Sequence, residues 1–314
     1  MAANNALTPP ARIGLVGLGL MGVPMARNLL AAGYSLTVYD VNTQVLSDFA
    51  AANPAASAAA SLRELAGVCD AVITMLPNGK IVRDVVLEGA DNLASGLAAG
   101  TLVIDMSSSS PVGTRELGEL LAARGLALID APVSGGVRRA VDATLAIMTG
   151  GDDAQIARCE PLLKAMGRDL FRTGGLGTAH AMKALNNYVS AAGFAAAAEA
   201  VLAGTRFGLD PATVVSVLNA STGKNNSTEL KFPQQVLTRK FAAGFSLGLM
   251  VKDLRTALEV AQATGMKAPI AQATVDEWAG AEALLGPGAD HTAMVKFVEH
   301  LAGSTIEDGP IQGD

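Results

Sequence analysis

The segment GLVGLGLMGVPMARNL constrains the fold of this chain more than any other. Gly17, Gly19 and Gly22 stand in the spacing G-x-G-x-x-G, after the short apolar run RIGLV and at the start of a stretch with helical spacing. Few folds turn a strand so sharply into a helix. Gly17 permits the tight turn, Gly19 lets the backbone approach a pyrophosphate, and Gly22 lets helix and sheet pack closely. The helix N-terminus adds free N–H groups and positive potential for an anion. Leu20 and Met21, between the last two glycines, belong to the same loop.

Asp40 ends the next apolar run, SLTVYD, 18 residues beyond Gly22. A carboxylate there accepts hydrogen bonds from both hydroxyls of an adenosine ribose and repels a 2′-phosphate. Val41 and Asn42 follow it and bring no arginine to attract that phosphate. The expectation is a dinucleotide cofactor, NAD rather than NADP.

The pattern continues along the chain. The runs AVITML, TLVIDM, LALIDAP, TLAIMTG and DLFRTG alternate with stretches of helical spacing as far as Thr173. Continuous apolar strands separated by helices predict a doubly wound parallel sheet covered on both faces, a Rossmann domain over residues 1–175. Strands then stop. Residues 178–206 read as one long interdomain helix, and the segments near 211–220, 227–239, 246–265, 269–284 and 290–302 predict an all-α C-terminal domain over 176–314. The alanine-rich stretch 50–61 reads as a helix end and a loop, and the tail from Ser304 as frayed.

Of the 314 residues, half are apolar and 17% charged, which suits a packed interior. The net charge of −6 and the lack of a basic run argue against a nucleic-acid partner. The longest charge-free run, 184–198, falls short of the ~18–20 residues of a membrane span, and the N-terminus does not read as a signal peptide. Cys69 and Cys159 stand far apart, which fits a reducing cytoplasm and gives no metal-ligand spacing.

Four stretches in order make the chain resemble the β-hydroxyacid dehydrogenases: GLGLMGVPMARNL (17–29), DAPVSGGVRRAVDATLAIMTGG (130–151), GGLGTAHAMKALNN (174–187) and KDL (252–254). Two departures are Ala143 and Ala179, where that family usually has glycine. The resemblance implies that Lys183 is the catalytic lysine and Asn187 the asparagine beside the substrate. It implies that Ser134, Gly135 and Gly136 hold the substrate carboxylate and that Lys252 lies near nicotinamide and substrate. Leu76 and Pro77 match a loop on the adenosine side, and Ser108 stands where the family often has threonine near the nicotinamide ribose. It also implies homodimers or homotetramers.

The residues themselves support that chemistry. Lys183 and Asn187 are i and i+4, so they share one helix face, with His180 one turn earlier. Hydride transfer from an alcohol needs a base for the hydroxyl proton, and in reduction the same group returns it. A lysine can serve if desolvation and nearby positive charge bring its pKa toward ~7–8. In an arbitrary helix such a lysine would simply reach for water. Glycines after a strand end, as at Ser134-Gly135-Gly136, expose N–H groups suited to a carboxylate. The polar segment STGKNNSTELK (221–231) offers Lys224, Asn225 and Asn226 as candidates for substrate selectivity, Asn225 as a substrate contact.

The expected activity is hydride transfer between NAD and a small 3-hydroxy carboxylic acid, giving its semialdehyde, as in the 3-hydroxyisobutyrate dehydrogenase type. The alternatives are a tartronate semialdehyde reductase and, from another class, a non-catalytic dinucleotide-binding scaffold. No metal is expected, and the expected location is cytoplasmic.

Overall fold

A computed structural model describes residues 5–307. Two compact units divide at Lys183/Ala184. The division lies inside the helix Thr178–Phe207, eight residues beyond the boundary expected at 175.

The first unit is built on one sheet. Its strands are β1 (Arg12–Val16), β2 (Ser35–Tyr39), β3 (Ala56–Ala58), β4 (Ala71–Thr74), β5 (Leu102–Asp105), β6 (Ala127–Asp130), β7 (Val133–Ser134), β8 (Leu145–Gly150) and β9 (Gly167–Gly174). The parallel order is β3-β2-β1-β4-β5-β6. β2 and β3 lie on one side of β1 and β4 on the other, so the glycine loop after β1 sits at the topological switch point, where α/β sheets bind ligands.

Side-chain alternation explains the two-sided burial. Ile13, Leu15, Ile73, Leu102 and Ile104 enter one apolar cluster with Met25, Leu29, Phe49 and Leu162 from three helices. Val16, Val72, Val103 and Leu128 enter another with Leu65, Val82, Leu117 and Leu121 from three more. Strands with both faces covered are apolar throughout, as the sequence showed.

The sheet departs from the expected all-parallel form at one edge. β8 runs antiparallel to β6 and β7 and pairs in parallel with β9. The connection from β6 through β7 and the short helix Gly136–Val141 is too brief for a crossover helix packed across the sheet, so β8 returns antiparallel. The alanine-rich stretch also differs from expectation: it contains edge strand β3.

Among the described residues, the regular structure of the second unit is helical apart from an isolated bridge between Ser246 and Asp290. Its elements after the long helix are Pro211–Ala220, a π-helix Ser227–Val236, Leu247–Ala263, Pro269–Leu285, a 3-10 turn His291–Ala293 and Met294–Ala302. Phe194, Phe232, Trp278, Leu247 and Met294 form its core. The helix Thr178–Phe207 is long and apolar enough by composition to cross a membrane, and its Phe194, Ala198 and Val201 are buried in that core. The expected fraying does not begin at Ser304: Ile306 is buried, and only the part of the tail beyond 307 lies outside the described residues.

Candidate active site

The glycine loop has the geometry that its spacing called for. Gly17 has φ +104°, a left-handed backbone that disfavours other residues, and a Cβ there would strike the Met75 carbonyl. A Cβ on Gly22 would strike the Gly17 carbonyl. Gly19 differs, because a Cβ there would meet nothing within 4 Å. The protein gives Gly19 no packing reason to be glycine, and a ligand approaching the backbone does. A groove of about 480 Å³ opens here, lined by Leu18, Gly19, Leu20, Arg27 and Val137 among others. Leu20 is 73% exposed beside it.

Asp40 is held in place at the end of β2. The Leu18 N–H donates to its Oδ2 at 2.7 Å and the Asn42 N–H to its Oδ1 at 2.8 Å. Two bonds leave acceptor capacity on both oxygens for ribose hydroxyls. These residues therefore fit an adenine dinucleotide: a glycine turn open to phosphate, a helix N-terminus behind it and a fixed acceptor on the next strand.

The loops after β4 and β5 lie beside one another. The Leu76 N–H donates to Ser107 Oγ at 2.9 Å, while Pro77 is exposed. In the run SSSS the odd residues turn inward: Ser107 N and Ser109 Oγ both donate to the buried Asp105. Ser108, between them, is half-buried, and Ser110 caps the helix Pro111–Ala122.

A buried carboxylate fixes the start of the helix that carries Lys183. Asp130, at the end of β6, accepts from Gly177 N–H at 2.8 Å and from His180 N–H at 2.8 Å. The His180 ring shares a 2.8 Å hydrogen bond with Thr114 Oγ1, and its Nε2 lies 3.7 Å from Asp105 Oδ2. His180 thus belongs to the helix anchor, and Lys183, half-buried, follows one turn later. Asp130 opens the motif DAPVSGG, so its presence was visible in the sequence and its role was not. Ser134, Gly135 and Gly136 follow at β7 with φ +132° and +67° at the two glycines. Both glycines take a positive φ that other residues disfavour, which fixes the turn at the end of β7.

In the second unit, Asn187 is 8% exposed and its Nδ2 donates to Asp253 Oδ2 at 2.6 Å. Asp253, 2% exposed, also pairs through Oδ1 with Lys252 Nζ at 3.2 Å. The KDL motif is therefore no surface charge pair. Its aspartate ties the asparagine of the long helix to the lysine of the helix Leu247–Ala263.

The polar segment is bonded largely within itself and to the long helix. Asn225 Oδ1 accepts from Ser227 and Thr228 N–H at 2.8 and 3.1 Å, and its Nδ2 turns to the Gly193 carbonyl. Its amide ties the loop to the long helix and leaves one Nδ2 hydrogen unused by these bonds. Lys224 pairs with Glu229 at 2.7 Å, both about half exposed, and Asn226 is exposed. Ser227 and Thr228 are buried, and Lys231, the last residue of the segment, also turns inward: its Nζ lies 3.1 Å from Ser190 Oγ.

Among the described residues no cluster of three His, Cys, Asp or Glu could hold a metal. Both cysteines are buried and free, and burial pushes each thiol up to about 12.

The sequence pattern of the NAD binding domain of 6-phosphogluconate dehydrogenase matches residues 12–175. That of the NAD-binding region of NADP-dependent 3-hydroxyisobutyrate dehydrogenase matches residues 177–298. The chain is 34% identical to 2-(hydroxymethyl)glutarate dehydrogenase of Eubacterium barkeri, over 95% of this chain and 98% of that one. It is 34% identical to 3-sulfolactaldehyde reductase of Escherichia coli K12, over 95% and 99%. In structure it is similar to Mycobacterium tuberculosis 3-hydroxyisobutyrate dehydrogenase with L-serine, at a TM-score of 0.83 and 33% identity, covering 92% of this chain and 99% of that one.

Proposed function

The chain belongs to the β-hydroxyacid dehydrogenase family, and from that premise we propose how its residues divide the work. The reaction is hydride transfer between a nicotinamide cofactor and a small 3-hydroxy carboxylic acid, which is interconverted with its semialdehyde. The relatives' named activities set this reading ahead of a non-catalytic scaffold.

A bound nicotinamide supplies the hydride acceptor in oxidation and the donor in reduction. Gly17, Gly19, Leu20, Met21 and Gly22 hold the pyrophosphate side, Asp40 the ribose hydroxyls, and Leu76, Pro77 and Ser108 the rest of the cofactor. In oxidation the alcohol carbon gives up its hydride and the hydroxyl gives its proton to the neutral amine of Lys183, leaving an aldehyde and an ammonium. In reduction that ammonium returns the proton to the new alcohol oxygen. Asn187 uses one Nδ2 hydrogen on Asp253, which fixes its amide and leaves the other for the substrate oxygen. The Ser134-Gly135-Gly136 loop takes the substrate carboxylate. Lys252 adds positive charge beside the reacting groups, its direction set by Asp253.

The observation that carries this reading is the placement of Lys183 and Asn187 on one face of a helix whose start Asp130 anchors and whose asparagine Asp253 locks. NAD over NADP rests on the anchored carboxylate of Asp40. Free, buried cysteines support a cytoplasmic location. A homodimer or homotetramer is supported by Ile270, 67% exposed in a groove of the second unit lined by Ala192, Ala195, Ala196 and Ala273 together with Glu199 and Glu277.

The test is NADH appearance with purified protein against 3-hydroxyisobutyrate, glycerate, serine, 3-hydroxypropionate and threonate, each with NAD and NADP. Turnover of at least one acid, faster with NAD, is expected, from a species of two or more chains by light scattering. A preference for NADP would overturn the role of Asp40. A single-chain mass would overturn the oligomer.

A further inference from the structure

The polar segment ends in a lysine that neither cofactor nor hydride chemistry uses. Lys231 lies in the π-helix Ser227–Val236, beside the fully buried Phe232. Hydrogen bonds there skip five residues, as from Leu237 N–H to the Phe232 carbonyl. Such turns are rare and recur at functional sites, because the widened register re-aims side chains. Here it turns Lys231 toward the long helix.

The ammonium has unusual company. Its Nζ lies 3.1 Å from Ser190 Oγ and 5.9 Å from the centre of the Phe194 ring. Phe194 in turn packs on Phe232, Trp278 and His291, so the wall behind the amine is aromatic. Among the described residues no carboxylate forms an ion pair with Lys231, although Asp290 exerts a weaker pull. Burial pushes the amine down to about 8, so it is still mostly charged at neutral pH. Burial and then the charge of Lys231 push His291 down to about 4, so the neighbouring ring is neutral there. A poorly hydrated cation without an ion-pair partner gains stability when an anion binds beside it.

Its position tells which anion. Ser190 follows Asn187 by three residues on the same helix face, ~4.5 Å further along the axis. The amine and hydroxyl therefore lie one turn beyond the asparagine assigned to the substrate oxygen. We propose that Lys231 and Ser190 form a second anion site that binds a carboxylate on the C2 substituent of the substrate, so that the preferred substrate is a dicarboxylic 3-hydroxy acid. This rests on the dehydrogenase reading and on Asn187 facing the substrate oxygen. Lys231 contributes charge and Ser190 a hydroxyl donor. The two carbons of a carboxyethyl substituent suit the one-turn offset.

The experiment compares 3-hydroxyisobutyrate, with a methyl at C2, and 2-(hydroxymethyl)glutarate, with a carboxyethyl there, in wild type, Lys231→Met and Lys231→Arg. Wild type is expected to favour the dicarboxylate in kcat/KM. Lys231→Met should lower that value roughly tenfold to a hundredfold, mainly through KM, as loss of a charge-assisted bond does. The methyl substrate should be nearly unaffected, and Lys231→Arg should restore part of the loss. Equal losses on both substrates would mean that Lys231 only props the aromatic wall, and would overturn the proposal. A second measurement needs no turnover: calorimetric binding of glutarate and of butyrate to the enzyme with NADH. Glutarate should bind more tightly than butyrate, and Lys231→Met should remove the difference. That result without turnover of either acid would keep the anion site and sink the dehydrogenase reading. No difference between the two acids in wild type would overturn the anion site.

Discussion

Ala143 shows how a single residue carries information. Its φ is +53°, a left-handed backbone that costs an alanine ~1–2 kcal/mol and a glycine almost nothing. The glycine expected at this position by family resemblance thus has a physical reason. Part of the gain on restoring it is offset by the greater freedom of glycine in the unfolded chain. Ala143→Gly is expected to stabilise the first unit by about 0.5–1 kcal/mol, raising its Tm by roughly 1–3 °C in calorimetry. An unchanged or lower Tm would refute the strain. Other residues were legible only as types. The segment 221–231 stood out as polar, but one-dimensional spacing cannot tell Lys224, paired with Glu229 in solvent, from Lys231, turned against Phe194. The loop bonds of Asn225 were hidden for the same reason: an amide that holds a loop and one that meets a substrate look alike in sequence.

Elements long enough to show a period were readable. The five apolar runs of the parallel sheet and the long helix stand where the pattern put them. β3 and β7, three and two residues long, carry too few side chains to show alternation. The reversal of β8 depends on the length of its connection and on its pairing, neither of which its own sequence states. The register of the long helix depends on a remote residue, Asp130, 47 positions before the Gly177 N–H that it accepts. Asp130→Asn would bring an amide N–H₂ toward two backbone N–H donors, leaving at least one buried group without a partner. A loss of about 1–3 kcal/mol is expected, read as a lower Tm of the first unit. An unchanged melting curve would show that the helix start needs no anchor.

At the scale of the whole molecule, the first unit has the form of a dinucleotide-binding domain, and the second gives Asn187, Asp253 and Lys252 fixed relations to one another. Fold class and cofactor type were legible because both follow from a local motif in its strand-helix context. The substrate was not, because spacing along the chain does not tell which side chains of the helical unit turn inward. Lys183 is the residue proposed to move the proton. Its most direct test is the steady-state rate of Lys183→Ala with the best 3-hydroxy acid and saturating NAD, beside NADH binding by fluorescence titration. A loss of roughly 10²–10⁴ in kcat with NADH affinity unchanged is the expected result. Wild-type kcat in the variant would contradict the account.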